Sequence, residues 1–162
     1  MRAAIITSSD SGYAGEREEK SGPVIREILE ANEYEVVHTI LLPDDRKALA
    51  DEMARISDEG MAELIVTTGG TGFSPRDCMP EATKDIIERE VPGIPEAMRA
   101  YSMTITPRAM LSRAAAGIRK VTLIVNLPGS PKAVRESLEY IIPALEHGLQ
   151  ILTGEATNCA RK

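Results

Sequence analysis

The sequence predicts an α/β fold, a three-layer sandwich in which a mostly parallel sheet carries helices on both faces. Three observations lead there. Short apolar runs at 3–6, 34–41, 63–68 and 121–127 alternate with stretches whose apolar residues recur every three or four positions, which is the rhythm of strand–helix–strand units. Ala3-Ala4-Ile5-Ile6 and Leu64-Ile65-Val66 are apolar throughout, as strands buried on both faces require. Polar loops rich in Gly, Ser and Thr follow three of the runs, at 7–12, 67–77 and 126–132, where open α/β sheets bind ligands.

Taken in order, residues 3–6 form the first strand, and the charged mixture at 16–20 reads as solvated loop. Ser21 stands as an N-cap, Pro23 fits the first turn, and Val24, Ile25, Ile28 and Leu29 make one helix face. Residues 34–41 read as a strand ended by Leu42-Pro43-Asp44-Asp45. Leu49, Met53 and Ile56 share a face of the next helix, which stops near Gly60. The third strand covers 63–68. A helix is predicted over 80–89, broken by Val91-Pro92-Gly93. Ile94, Met98, Tyr101 and Ile105 then form the stripe of another helix closed by Pro107, in which Met98 and Met103 read as core filler. Residues 111–120 read as loop with a short strand, and 121–127 is the clearest strand of all. Val134, Leu138, Ile141, Leu145 and Leu149 mark a long terminal helix that Pro143 is expected to kink or restart. One domain over residues 1–152 and a polar tail over 153–162 are expected.

The length of 162 residues suits a single domain with a proper core. A net charge of −6 and a pI near 5.1 exclude the basic face that nucleic-acid binding needs, and no Trp with one Phe leaves no platform for stacking bases. Cys78, Cys159, His38 and His147 have no partners at metal-ligand spacing, so no zinc site is expected. No apolar run approaches the roughly 20 residues of a membrane span, and residues 1–6 read as a strand rather than a signal peptide. A soluble, cytoplasmic protein is the expectation.

The loop Thr67-Thr68-Gly69-Gly70-Thr71-Gly72-Phe73-Ser74-Pro75-Arg76-Asp77 organises the rest. Its glycines let backbone N–H groups approach a phosphate, its threonines and Arg76 add donors, and Asp77 can hold Mg²⁺ or a polar ring edge. The competing reading is a structural turn with Asp77 as a helix cap. Neither the Gly-x-x-x-x-Gly-Lys loop nor the dinucleotide fingerprint fits the spacing. At one sheet edge the loops offer Ser8, Ser9, Asp10, Gly12, Gly69, Gly70, Thr71, Gly72, Ser74, Arg76, Asp77, Asn126, Gly129 and Ser130, joined by Asp44 and Asp45. Without a nucleophile–base pair at recognisable spacing, this set suits phosphoryl or nucleotidyl transfer, where positioning and charge dominate. An acidic chain that binds phosphates must also recruit a cation, which points to Mg²⁺.

Thr68-Gly69-Gly70-Thr71-Gly72-Phe73-Ser74-Pro75-Arg76-Asp77, Pro80-Glu81-Ala82-Thr83, Leu111-Ser112-Arg113, Gly117-Ile118-Arg119 and Asn126-Leu127-Pro128-Gly129-Ser130 resemble the molybdopterin adenylyltransferase family, which includes the equivalent domain of gephyrin. The resemblance runs from Ser9-Asp10 through the terminal helix. It implies a homotrimeric α/β enzyme that uses Mg²⁺ and ATP to adenylylate the terminal phosphate of molybdopterin, and that passes the product to a molybdenum insertase. It further implies that Asp77 and Asp44 are catalytic and bind the metal, although capping of the following helix stays open for Asp44. Gly69, Gly70, Thr71, Gly72, Ser74 and Arg76 match the pterin and phosphate site. Asn126, Pro128, Gly129 and Ser130 match the segment near the nucleotide, and Ser9 and Asp10 match the opposite wall. Cys78-Met79 departs from the family's valine and threonine, which removes a capping hydroxyl worth about 1 kcal/mol before Pro80. Cys78 reads as an inert valine substitute. Alternative readings are a tungsten-cofactor counterpart and a pterin-binding or oligomerising module without turnover.

Overall fold

The computed structural model describes residues 1–155. Strands β1 (Arg2–Ser8), β2 (Glu35–Leu42), β3 (Leu64–Thr68) and β6 (Thr122–Leu127) run parallel. The short β5 (Ala116–Arg119) and two-residue β4 (Arg89–Glu90) extend the sheet antiparallel, giving the order β2-β1-β3-β6-β5-β4. The mostly parallel sheet is therefore as expected.

Because side chains alternate along a strand, Ala3, Ile5, Leu64, Val66, Leu123 and Val125 fall on one face, with Ala4, Ile6, Ile65 and Ile124 on the other. The first set packs on α2 (Ser21–Ala31), α5 (Gly93–Met103) and the long α6 (Pro131–Leu152). The second packs on α3 (Arg46–Asp58) and α4 (Met79–Ile86). Each fully buried Ile or Leu in these layers contributes roughly 1.5–3 kcal/mol of transfer free energy. Two cores thus clamp one sheet from opposite sides.

Several boundaries differ from the sequence reading. The helix expected over 80–89 stops at Ile86, since Arg89 and Glu90 pair with Ile118 and Gly117. Gly117 permits that pairing: a Cβ there would lie 2.4 Å from Ile87 Cδ1 and 2.8 Å from the Arg89 carbonyl. Ile105 lies beyond α5 and is exposed, so the stripe ends at Tyr101, whose ring stacks on Tyr140 at 4.2 Å. Pro107 opens a 3₁₀ turn, Pro107–Leu111, capped by Thr106. Pro143 does not interrupt α6. It sits on the exposed side, while buried Ile141, Ile142 and Leu145 hold both halves on the sheet.

Two features near the strand ends also depart from expectation. A single turn, α1 (Asp10–Tyr13), follows β1 with Ser9 as its cap. Ser21 is the first helical residue of α2 rather than its N-cap, because the Glu19 carboxylate accepts hydrogen bonds from the Ser21 and Gly22 amides. The expected polar tail at 153–162 lies outside the described residues from 156 onward. Among the described residues no helix is long and apolar enough to cross a membrane.

Candidate active site

Strand register brings the candidate residues together. Ser8 pairs with Leu42, Thr7 with Thr68, and Thr68 with Leu127, so the loops after β1, β2, β3 and β6 leave the sheet along one edge. Between them opens a cleft of about 780 Å³. Ser9, Asp44, Gly69, Gly70, Asp77, Gly129 and Ser130 all line it.

Glycine lets these loops close on one another. Gly69 has φ +90°, a left-handed conformation that side chains avoid, and a Cβ there would stand 2.2 Å from the Ser8 carbonyl oxygen. On its other side, a Cβ on Gly129 would lie 3.4 Å from Gly69 Cα. Hydroxyls complete the junction: Thr68 Oγ1 donates to the Pro128 carbonyl at 2.7 Å, and Ser21 Oγ donates to the Gly129 carbonyl at 2.8 Å.

Asp44 is not the cap of α3. That place belongs to Asp45, whose carboxylate accepts from the Ala48 amide at 2.8 Å. The Asp44 carboxylate instead accepts from Ser8 Oγ and from the Asp10 amide at 3.0 Å, while the Asp44 amide donates back to Asp10 Oδ1 at 2.9 Å. Asp10 also takes a two-pronged ion pair from Arg76, at 2.9 and 3.0 Å. The Arg76 hydrogen bonds, reinforced by the Asp44 amide, hold the Asp10 carboxyl below its ordinary value.

Arg76, expected among the phosphate donors, therefore spends its fork on Asp10. It borders a second cavity of about 360 Å³ shared with Asp44, Asp45, Arg46 and Lys47.

Asp77 does not cap α4 either. Its Oδ2 accepts from the Ser74 amide at 2.9 Å, which makes Ser74 part of the loop's own turn. The N-cap position of α4 is Cys78, with no side-chain bond, and Met79 is fully buried in the core under the loop. Burial pushes the Cys78 thiol up, and the carboxylates of Asp44 and Glu81 push it further, so it stays protonated at neutral pH.

Three candidates build the floor rather than face the cleft. Asn126 is fully buried: its amide donates to Thr67 Oγ1 at 3.0 Å and Thr83 Oγ1 at 2.9 Å and accepts from the Ala115 amide at 3.1 Å. Thr71 is buried and Gly72 presents its carbonyl to Arg113. The segment 16–20 is the solvent-exposed loop expected, and Glu16, Arg17, Glu18, Glu19 and Lys20 also border the cleft as an open wall, a setting that the sequence reading did not separate from plain solvent. Mixed charge without periodicity looks the same in both settings. Glu19 two residues before the helix start was the available signal.

Among the described residues no group of three or more His, Cys, Asp or Glu side chains is placed to hold a metal. Asp44 and Asp77 offer carboxylate oxygens alone. Such a pair fits Mg²⁺, which is held through one or two carboxylates with water and substrate phosphates completing its shell.

The fold and this edge define an α/β protein that gathers two loop aspartates and glycine-rich backbone in one cleft. The chain belongs to the family described as "Probable molybdopterin binding domain", whose model matches residues 4–147. It is 40% identical over 158 residues to the molybdopterin adenylyltransferase of Helicobacter pylori strain J99, covering 95% of this chain and 89% of that one. The molybdopterin biosynthesis enzyme MoaB of Thermus thermophilus has the same fold, with a TM-score of 0.90 and 46% identity over 94% of this chain and 96% of that one. The tungsten cofactor synthesizing protein MoaB of Pyrococcus furiosus superposes with a TM-score of 0.84 at 36% identity, covering 93% and 96% of the two chains.

Proposed function

We propose that this chain, through residues 1–152, transfers the adenylyl group of ATP to the terminal phosphate of molybdopterin in molybdenum cofactor biosynthesis. A pterin phosphate oxygen attacks the α-phosphorus of ATP, the bond from that phosphorus to the bridging oxygen breaks, and pyrophosphate leaves. The observation that carries this reading is the presentation of Asp44 and Asp77 in one cleft by the loops after β2 and β3, the two parallel strands that flank β1. Close similarity to an enzyme named molybdopterin adenylyltransferase supports it.

Each residue then has a task. The loop 128–130 receives the nucleotide, and Ser130 caps α6 by accepting from the Ala133 amide, so the positive end of a 22-residue helix opens beside the nucleotide phosphates. Gly69 and Gly70 bring backbone to the pterin phosphate. Ser8 and the Asp10 amide fix the orientation of Asp44, while the Ser74 amide fixes that of Asp77. Asp44 and Asp77 would hold Mg²⁺, which neutralises the facing phosphates. Arg17 and Lys20 on the wall supply cations to an otherwise acidic cleft.

A cytoplasmic homotrimer that hands its product to a molybdenum insertase completes the proposal. Exposed Met103, Ile105, Met110 and Leu111 provide apolar surface suited to subunit contact. The similarity to a tungsten cofactor protein favours one second reading, the same transfer serving tungsten insertion, since the metal enters after the adenylyl step. Incubating the purified protein with molybdopterin, ATP and Mg²⁺ and following adenylylated pterin and pyrophosphate tests the function. Sedimentation as a monomer at micromolar concentration would contradict the trimer.

A further inference from the structure

We infer that Arg113 is a positioning residue for the transfer reaction, fixing the loop that carries Asp77 through a single guanidinium; this rests on the role proposed for Asp77. Arg113 follows the turn Pro107–Leu111, and its own amide donates to the Thr71 carbonyl at 2.9 Å. Its Nε donates to the Gly72 carbonyl at 2.7 Å and one terminal nitrogen to the Asp77 carbonyl at 2.9 Å. The other terminal nitrogen is paired with the Glu81 carboxylate on the first turn of α4. One side chain therefore bridges the start of the loop, its end and the helix that follows.

No other side chain of the described residues joins these three segments. Among the described residues, the remaining hydrogen bonds of 72–77 are internal, Ser74 with Asp77 and Ser74 with Arg76, apart from the exposed Arg76–Asp10 pair. The Asp77 carboxylate is thus set from within the loop, and Arg113 sets the loop against α4. The second Glu81 oxygen is buried without a hydrogen-bond partner, so Arg113 supplies the side-chain hydrogen bond to this carboxylate. With its charge matched by Glu81, Arg113 contributes geometry to the site rather than field. Lysine cannot replace it, because an ammonium lacks the planar fork that reaches both carbonyls and the carboxylate together.

Arg113→Lys and Arg113→Ala test this on the full chain, with circular dichroism confirming the fold. Amide hydrogen exchange across 72–77 is expected to speed up by at least about tenfold in both variants while β3 and β6 stay protected as in the parent. Turnover should fall by about 100-fold in kcat, with KM for ATP changed less than about threefold. In the Arg113→Lys background, adding Asp77→Asn should cost less than about threefold more, since Asp77 is already displaced. If Arg113→Ala does not fold, Arg113→Lys alone carries the experiment. Parent-like exchange in the loop, or losses from Arg113→Lys and Asp77→Asn that simply multiply, would overturn the inference. Full turnover by Asp77→Asn in the parent would instead overturn the role given to Asp77, and the exchange data would then decide the clamp by themselves.

Discussion

At the scale of single residues, the two aspartates that follow β2 separate by what their carboxylates touch. Asp45 holds the Ala48 amide, whereas Asp44 faces the cleft and is held by Ser8 and the Asp10 amide. Asp45→Ala should therefore lower stability by about 1 kcal/mol in urea unfolding and leave transfer intact. Asp44→Asn should do the reverse, abolishing pyrophosphate release with little change in the unfolding midpoint. Sequence alone could not divide the two, because both precede a helix and either spacing suits a cap. Asn126 shows the opposite difficulty. Its position at a strand end suggested the nucleotide, but strand alternation turns it onto the α4 face, where it joins Thr67 and Thr83. Asn126→Ala should cost about 2–3 kcal/mol by stranding the Ala115 amide and two buried hydroxyls, measurable in the same unfolding experiment.

At the scale of elements, the junction of β1, β3 and β6 depends on glycines with different tolerances. Gly69→Ala forces a left-handed backbone on alanine and drives its Cβ into the Ser8 carbonyl, so a loss of at least about 2 kcal/mol is expected together with loss of transfer. Gly129→Ala meets only ordinary contact at 3.4 Å and should stay within about 0.5 kcal/mol of the parent. A bulkier Gly129→Val would press on Gly69 as well, so it disturbs both ends of the cleft at once. Strands β1, β3 and β6 were legible from unbroken apolar runs, and the site followed because parallel strands put their following loops at one edge. The short β4 was not legible. Arg89 and Glu90 carry no strand signal, and what makes them a strand is the absence of a side chain at Gly117, far along the chain.

At the scale of the whole molecule, charges tie the layers together away from the cleft. Asp58 at the end of α3 pairs with Arg119 and Lys120 at the β5–β6 turn, and Arg119 also holds the Ile86 carbonyl that ends α4. Hydrogen bonds from Arg119 and then Lys120 hold the Asp58 carboxyl at about 2, below its ordinary 3.8. A carboxyl lowered on folding stabilises above its unfolded value and loses that contribution as pH falls through the folded one. The stability gap between the parent and Asp58→Asn should thus be constant at neutral pH, shrink below about pH 4 and vanish near pH 2, as read by urea midpoints. The fold class was open to sequence reasoning because it rests on hydrophobic rhythm. The cleft wall at 16–20 was not, since its role comes from where α2 starts in space. In the reaction we propose, all of these layers serve one act, presenting Asp44 and Asp77 to two phosphates. The most direct measurement is single-turnover incubation of the parent and Asp77→Asn with molybdopterin, ATP and Mg²⁺, with and without chelator, followed by chromatography of the pterin. Adenylylated molybdopterin and equimolar pyrophosphate are expected from the parent with Mg²⁺ and from neither control; product at the parent's rate in Asp77→Asn, or none in the parent, would contradict the account.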